Sequence, residues 1–444
     1  MNSDYKYLTG KEFTENSIGC GHWWRSLLAP DLMSSQTPAQ QCFRVQLPTE
    51  TWQTILRYTI SVPLFFDTDP AASYGLAAVR VYHDTSAYWD SERTRNKLRR
   101  VCSSWNIYLQ CFAHRLVCLD DIIHNHVPIT AIPLAYRKHL ARCTCMLHYN
   151  ETLDALASGI TMSDLESISD QSWKVKIVKV DRWIHEPPLL TLLASKSCVQ
   201  VYIRPWSEQG NPIIEKHCSS ELRFYSGGQP TNLSSARNLS TLNFILKGPF
   251  PMPAMPNLRY LSIITKVSSH RVFIFDWLRH IGGQLLSFFW KDLTYGAKFS
   301  IPIWTLCPSI TSLQLPSNSS LIAPPDTHPV NYLRFGLRYG RSRNHSRCIH
   351  CPLSHPIPIL DDSNSFYDIV RYGNIKTASF DRSWRELLGH LDVGGAVECC
   401  YQWLKRHGIR FVDVDWLSFE DYIVQELEMA RGLRVTTGIL RFCF

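Results

Sequence analysis

From about residue 175 onward one short pattern keeps returning: an apolar residue, two of any kind, a second apolar residue, one of any kind, and a third apolar residue. It is carried by Val175/Val178/Val180, Cys198/Val201/Ile203, Leu239/Leu242/Phe244, Leu258/Leu261/Ile263, Leu285/Phe288/Trp290, Ile310/Leu313/Leu315 and Val330/Leu333/Phe335. Weaker copies stand at Ser219/Leu222/Phe224, Ile375/Ala378/Phe380 and Ile409/Val412/Val414. The middle positions follow one another at 23, 21, 20, 19, 27, 25, 20, 45 and 34 residues. Side chains alternate along a strand, so the last two apolar residues of each copy share a face. A strand this short cannot bury its apolar edge alone. Copies at near-constant spacing can do so by stacking into a parallel sheet, each strand followed by a return segment. The alternative is an ordinary α/β domain whose strands happen to be evenly spaced.

Met255-Pro256-Asn257-Leu258 and Cys307-Pro308-Ser309-Ile310 read as turns leading into strands, and helical returns are expected at 186–195 and 274–284. If the listed apolar positions point inward, their neighbours form an open face carrying Gln200, Tyr202, Arg223, Thr241, Asn243, Tyr260, Ser262, Phe289, Gln314, Tyr332, Arg334 and Asp413. Of these, Tyr202, Arg223, Asn243, Tyr260, Phe289, Gln314, Tyr332 and Arg334 are the candidate residues for binding a substrate protein, because Tyr, Arg, Asn and Gln suit recognition. A merely solvated sheet would show the same mixture. Residues 338–366 read as an inserted loop. Helices at 384–391, 396–406 and 419–431, with a strand at 409–414, would cap the stack.

The first half of the chain has a different grain. Residues 1–45 lack periodicity and are expected to form a disordered arm. Trp52, Ile55, Leu56, Thr59 and Ile60 mark one face of a helix over 47–60, with Pro48 in its first turn and Glu50 near its positive end. A second helix is expected over 91–112, burying Leu98, Val101, Cys102, Trp105, Leu109 and Phe112, with Arg93, Arg95, Lys97 and Arg100 on its other side. Residues 67–92 between them read as an insertion, and 120–170 as a helical linker.

Composition removes several classes of function. The 444 residues are 45% hydrophobic and can bury a substantial core. A net charge of +8, from 46 basic and 38 acidic residues, is mild for this length, and no basic run with interleaved aromatics argues for nucleic acid. No run of about 18 apolar residues predicts a membrane span. The start Met1-Asn2-Ser3-Asp4-Tyr5-Lys6 lacks a basic segment followed by an apolar one, so the 15 cysteines are expected as reduced thiols in the cytoplasm or nucleus. His345, Cys348, Cys351 and His355 have zinc-ligand chemistry, but they crowd into eleven residues beside two prolines, and His139, Cys143, Cys145 and His148 form a weaker group. No metal or other cofactor is expected from either. No Gly-rich phosphate loop follows a strand, no nucleophile elbow occurs, and the run Glu398-Cys399-Cys400 lacks an identifiable base. No enzyme is expected.

The run Leu47-Pro48-Thr49-Glu50-Thr51-Trp52-Gln53-Thr54-Ile55-Leu56, followed by Leu98-Arg99-Arg100-Val101-Cys102-Ser103-Ser104-Trp105, resembles the F-box-like domains of fungal proteins. Such proteins often carry a long insertion between the two motifs and a degenerate leucine-rich-repeat half behind them. The motif match spans about residues 46–119. The repeat half is similar in style only: the Asn or Cys that normally follows each strand is mostly missing, with Asn318 the best match. The resemblance implies an α+β or α/β chain in which a small N-terminal helical module at 46–119 precedes an irregular leucine-rich-repeat-like solenoid with a parallel sheet at 171–444. It also implies a non-catalytic substrate-recognition subunit of an SCF-type cullin–RING ubiquitin ligase. Leu47, Pro48, Glu50, Ile55 and Leu56 would face a Skp-family adaptor, with Trp52 among the docking residues, and Val101, Cys102 and Trp105 would continue that surface or pack beneath it. The competing expectation is a repeat-based interaction scaffold without a ligase. In that case the helices only cap the stack against 175–205, with Leu47 and Pro48 buried.

Overall fold

The computed structural model describes residues 47–63, 65–69, 71, 85–113, 115–118, 145–149, 175–180, 199–203, 221–230, 233, 236–250, 252–293, 299–316, 319–320, 322–336, 346–347, 356–357, 374–389, 391–414 and 416–436. The chain divides into two units, Met1–Trp52 and Gln53–Phe444. The expected N-terminal arm, the helix at 186–195 and the His345/Cys348/Cys351/His355 group lie outside the described residues.

The second unit is built on a parallel sheet in which chain order and spatial order coincide. Its twelve described strands are β1 (Leu116–Cys118), β2 (Cys145–Tyr149), β3 (Val175–Val180), β4 (Val201–Ile203), β5 (Phe224–Gly227), β6 (Thr241–Leu246), β7 (Tyr260–Thr265), β8 (Ser287–Asp292), β9 (Ser312–Leu315), β10 (Tyr332–Phe335), β11 (Thr377–Phe380) and β12 (Arg410–Val412). Each pairs in parallel with the strands before and after it. The chain is therefore of the α/β class. β1 and β2 were not expected as strands: β1 falls at the end of the expected helical module, and β2 falls in the segment expected to be a helical linker.

One row of residues runs across the described sheet in backbone register: Val117, Leu147, Val178, Tyr202, Tyr225, Leu242, Leu261, Phe288, Leu313, Leu333, Ala378 and Phe411. From Val178 onward these residues belong to the main core, with Trp277, Leu278, Trp290, Trp384 and Leu404 packed among them. The row corrects the expected register at three strands. Tyr202, Tyr225 and Phe411 point into this core, where Val201, Phe224 and Val412 were expected. Apolar residues stand on both sides of those strands, and a slip of one residue exchanges the faces. Tyr202 is therefore a core residue, stacked on Tyr225 at 6.1 Å, and does not belong to the open face.

A second regularity lies in the backbone just before each strand. Gln200 donates to Lys176, Arg223 to Gln200, Ser240 to Arg223, Arg259 to Ser240, Leu286 to Arg259, Thr311 to Leu286, Asn331 to Thr311, Lys376 to Asn331 and Arg410 to Lys376, all at 2.8–3.0 Å. Each turn thus hands its amide to the carbonyl of the turn before it, as buried backbone requires. The two proline-containing turns close as expected, with Leu258 donating to Met255 at 3.1 Å and Ile310 to Cys307 at 3.3 Å. Asn257 ties its turn to the preceding one through Arg237, its amide donating to that carbonyl at 3.0 Å.

The return between β7 and β8 holds helix α4 (Arg271–Ile281), which buries Ile274, Trp277, Leu278 and Ile281. It ends at Gly282, where a Cβ would stand 2.4 Å from the carbonyl oxygen of Leu306, so only glycine fits this approach. Helices α5 (Trp384–Leu388), α6 (Leu391–Arg406) and α7 (Phe419–Thr436) follow β11 and β12. Ser383 opens α5 with a capping box to Glu386, and Gly408 (φ +70°) ends the turn after α6.

Ahead of the sheet lie α1 (Thr49–Thr59), α2 (Ser86–Leu98) and α3 (Ser103–Gln110). The expected single helix over 91–112 is therefore two helices, parted by a turn at 99–101. Among the described residues no helix is long and apolar enough to cross a membrane.

Candidate functional site

Two surfaces carry the residues that the sequence singled out. The first is helical. α1 turns two faces to different environments: Leu56 and Ile60 are buried with Leu109 in a small core edged by Leu98, Trp105, Tyr108 and Phe112. Ile55 is 42% exposed and Tyr58 78% exposed. Leu56, 2% exposed, is thus removed from the docking residues; one helical step of 100° separates it from Ile55 and decides the difference. Leu47, Pro48, Glu50 and Trp52 are all exposed. Val101 and Cys102, expected in the buried stripe, are exposed in the turn between α2 and α3, and Trp105 is half-buried. Trp89 and Ile107 add further exposed apolar area on α2 and α3.

The helices are held by buried charge, including Arg95, which was expected on the outer side of its helix. Glu92 receives Arg95 at 2.6 Å and Arg115 at 2.9 Å, with all three side chains at most one-tenth exposed. Arg115 also donates to the carbonyl of Ile60 at 2.9 Å and to the Ser91 hydroxyl at 3.0 Å, while Arg95 reaches the carbonyl of Leu109 at 3.3 Å. Two helix C-termini thus rest on guanidinium groups that share the one carboxylate of Glu92. The network spans both sides of the insertion, so the insertion does not part α2 and α3 from the end of α1.

The insertion also has a packing role. Its Tyr88 stacks at 5.6 Å on Phe65, which precedes it, and the two join Leu116, Ile177, Val201, Ile203 and Phe224 in one apolar cluster on the face of the sheet opposite the main core. Burial pushes the Tyr88 hydroxyl well above its usual range, and the nearby Glu92 carboxylate adds to the shift. Farther along, Asp69 accepts from the Ser240 hydroxyl at 3.0 Å.

The second surface is the rest of that same face. Its central row reads Ser226, Asn243, Ser262, Phe289, Gln314, Arg334, Ser379 and Val412 in register. The expected residues Asn243, Phe289, Gln314 and Arg334 are therefore brought side by side, with Tyr260 and Tyr332 in the adjacent row. They are not openly solvated. Asn243, Phe289, Gln314, Tyr332 and Arg334 are buried, Tyr260 is half-buried, and among the eight expected residues only Arg223 is exposed. Asp413, expected beside them, is buried in the following loop, where its carboxylate accepts the amides of Trp384 at 3.2 Å and Leu417 at 3.0 Å.

Arg334 stands at the centre of this polar stretch and is 9% exposed. Its guanidinium lies 4.8 Å from the Phe289 ring centre and 5.8 Å from that of Tyr332. Nε donates to the Tyr332 hydroxyl at 3.0 Å and to Ser379 at 3.3 Å. Nη2 is buried without a hydrogen-bond partner. Ring contacts of this kind recover about 2 kcal/mol when desolvated, against several kcal/mol for removing a cation from water. Trp416, which no sequence signal flagged, stacks on Tyr332 at 4.7 Å from a backbone with φ +65°.

No family model matches this chain, and no curated protein matches it. Among the described residues no group of His, Cys, Asp and Glu side chains is arranged to hold a metal ion.

Proposed function

We propose that this chain is a non-catalytic recognition subunit, docking a Skp-family adaptor of a cullin–RING ubiquitin ligase through an F-box-like helical module. The strands behind it would act as an irregular leucine-rich-repeat-like solenoid that receives a substrate protein. The observation that carries the reading is the exposure of Ile55, Tyr58 and Ile107 on helices, and of Val101 in the turn between two of them, in a module that a buried ionic network holds in place. Apolar side chains displayed on a rigid support are costly in water and suit a protein partner. Strand neighbours in strict chain order support the solenoid part of the reading.

Leu47 and Pro48 are exposed, whereas a module that merely capped the sheet would bury them. The test is co-purification of the full chain with a Skp-family adaptor, wild type against Leu47→Ala/Pro48→Ala/Ile55→Ala. All three positions are exposed, so the variant keeps its fold, and adaptor recovery should drop about tenfold or more. A wild type that captures no adaptor, or a variant that captures as much, removes the proposal.

A further inference from the structure

We infer that the outer face of the sheet holds an oxyanion-binding cradle centred on Arg334, which takes a phosphoryl or carboxylate group of a bound polypeptide. The inference stands apart from adaptor docking and uses none of its residues. A guanidinium offers five N–H donors in a planar fork and suits a bidentate oxyanion. In Arg334 Nε donates to Tyr332 and Ser379. Nη2 beside it is buried and has no hydrogen-bond partner.

Among the described residues no carboxylate pairs with Arg334. The Asp381 carboxylate is paired with Lys291 at 2.7 Å, and that of Asp413 accepts the backbone amides of Trp384 and Leu417. The groups nearest in register, Gln314 and Ser379, are uncharged, and the walls are the Phe289 and Tyr332 rings. A cation held by rings and hydroxyls, with a buried N–H group left without a partner, is suited to an anion.

One wall of this site, the Tyr332 ring, is itself capped by a side chain from a loop. Trp416 stacks flat on Tyr332, is itself about one-third exposed, and sits at a positive φ that a bulky residue seldom adopts. Its loop is tied at its base, where Asp413 donates to the carbonyl of Leu417 at 3.0 Å, and Trp416 stands at the exposed tip between them. Swinging the indole off Tyr332 opens the cradle without moving a strand.

The experiment uses the full chain and inorganic phosphate, then acetate, each against chloride at matched ionic strength. Phosphate is expected to raise the melting temperature of the wild type, and Arg334→Met should weaken that response at least tenfold in apparent affinity. A larger response to acetate assigns the site to carboxylates, and a larger response to phosphate to phosphoryl groups. A response to neither anion, or an equal response in Arg334→Met, overturns the inference. A second measurement leaves Arg334 in place, so that its outcome does not depend on the packing of Arg334→Met. Modification of Arg334 by butanedione, followed by peptide mass spectrometry, should be faster in Trp416→Ala and slowed by the preferred anion. An Arg334 that is never modified in Trp416→Ala, or is modified equally with and without the anion, also overturns it.

Discussion

Over β3 to β5 the outer face of the sheet presents Ile177, Val201, Ile203 and Phe224, and Phe65 and Tyr88 pack onto them. Over β8 to β11 the same face presents Phe289, Gln314, Arg334 and Ser379, and Trp416 stacks on their neighbour Tyr332. The backbone is alike in both regions, with parallel pairing and the same ladder of turn amides. What differs is the chemistry of the side chains. One end is aliphatic and aromatic and is closed by a distant part of the chain. The other is aromatic and cationic, and keeps polar valence unspent. Tyr88 brings α2 onto one half of this face, while the other half carries Arg334 among its ring neighbours.

The sharpest way to break the comparison is to strip the closed end of its support. Glu92→Leu leaves Arg95 and Arg115 buried beside each other without a carboxylate, and should cost about 3–5 kcal/mol. The measurement is the urea midpoint followed by circular dichroism. If the midpoint does not move, the network is not what holds α2 and α3 to the end of α1. Next comes a matched pair on the sheet itself. Phe224→Ala, in the closed half, should cost about 3–5 kcal/mol. Phe289→Ala, whose ring lies against a guanidinium rather than under aliphatic cover, should cost about 1–3 kcal/mol. Equal costs would mean that both halves are ordinary core.

A third pair compares the two faces of α1. Leu56→Ala should lose about 2–4 kcal/mol, whereas Ile55→Ala stays within about 0.5 kcal/mol while still weakening adaptor capture. The smallest effect concerns thiols. The Ser104 side chain hydrogen-bonds the exposed Cys102 and holds its pKa below the usual range, while burial pushes Cys307 up to about 12. A lower pKa means more thiolate at neutral pH, so iodoacetamide should label Cys102 about tenfold faster or more than Cys307 in the native protein. Bound adaptor should slow the labelling of Cys102 alone; slowing of neither thiol would place the adaptor elsewhere.

Much of the sheet was legible because its signal is periodic. The strands from Leu239 to Phe335 match the expected triplets, and their inward residues Leu242, Leu261, Phe288, Leu313 and Leu333 fall in one row. The errors came where both faces of a strand are apolar. Val201-Tyr202-Ile203 offers two plausible inward sets, and the sequence favours the wrong one because the second set is covered by residues more than a hundred positions away. β1 and β2 were missed for a related reason, since strands of three and five residues carry too few alternations to register. On the helical side, Arg95 reads as a surface cation by spacing. Its burial depends on Glu92 three residues earlier, which was visible, and on Arg115 twenty residues later, which was not. Arg334 was identified as a face residue. That its Nη2 would be buried and unpartnered depends on packing from neighbouring strands, which one strand's pattern does not encode.

The ladder of amides that joins each turn to the one before it has a consequence in time as well as in space. Each new strand needs only its predecessor in order to dock, so loops close over a few dozen residues rather than hundreds, and the entropy lost per step stays small. A chain emerging from the ribosome can add strands one at a time, each completing its predecessor's hydrogen bonds. The exception is the closed outer face: Phe65 and Tyr88 are made early but find Phe224 only after β5 exists. Until then these aromatics are uncovered, which makes the interval between synthesis of α2 and of β5 the period in which a chaperone would matter most.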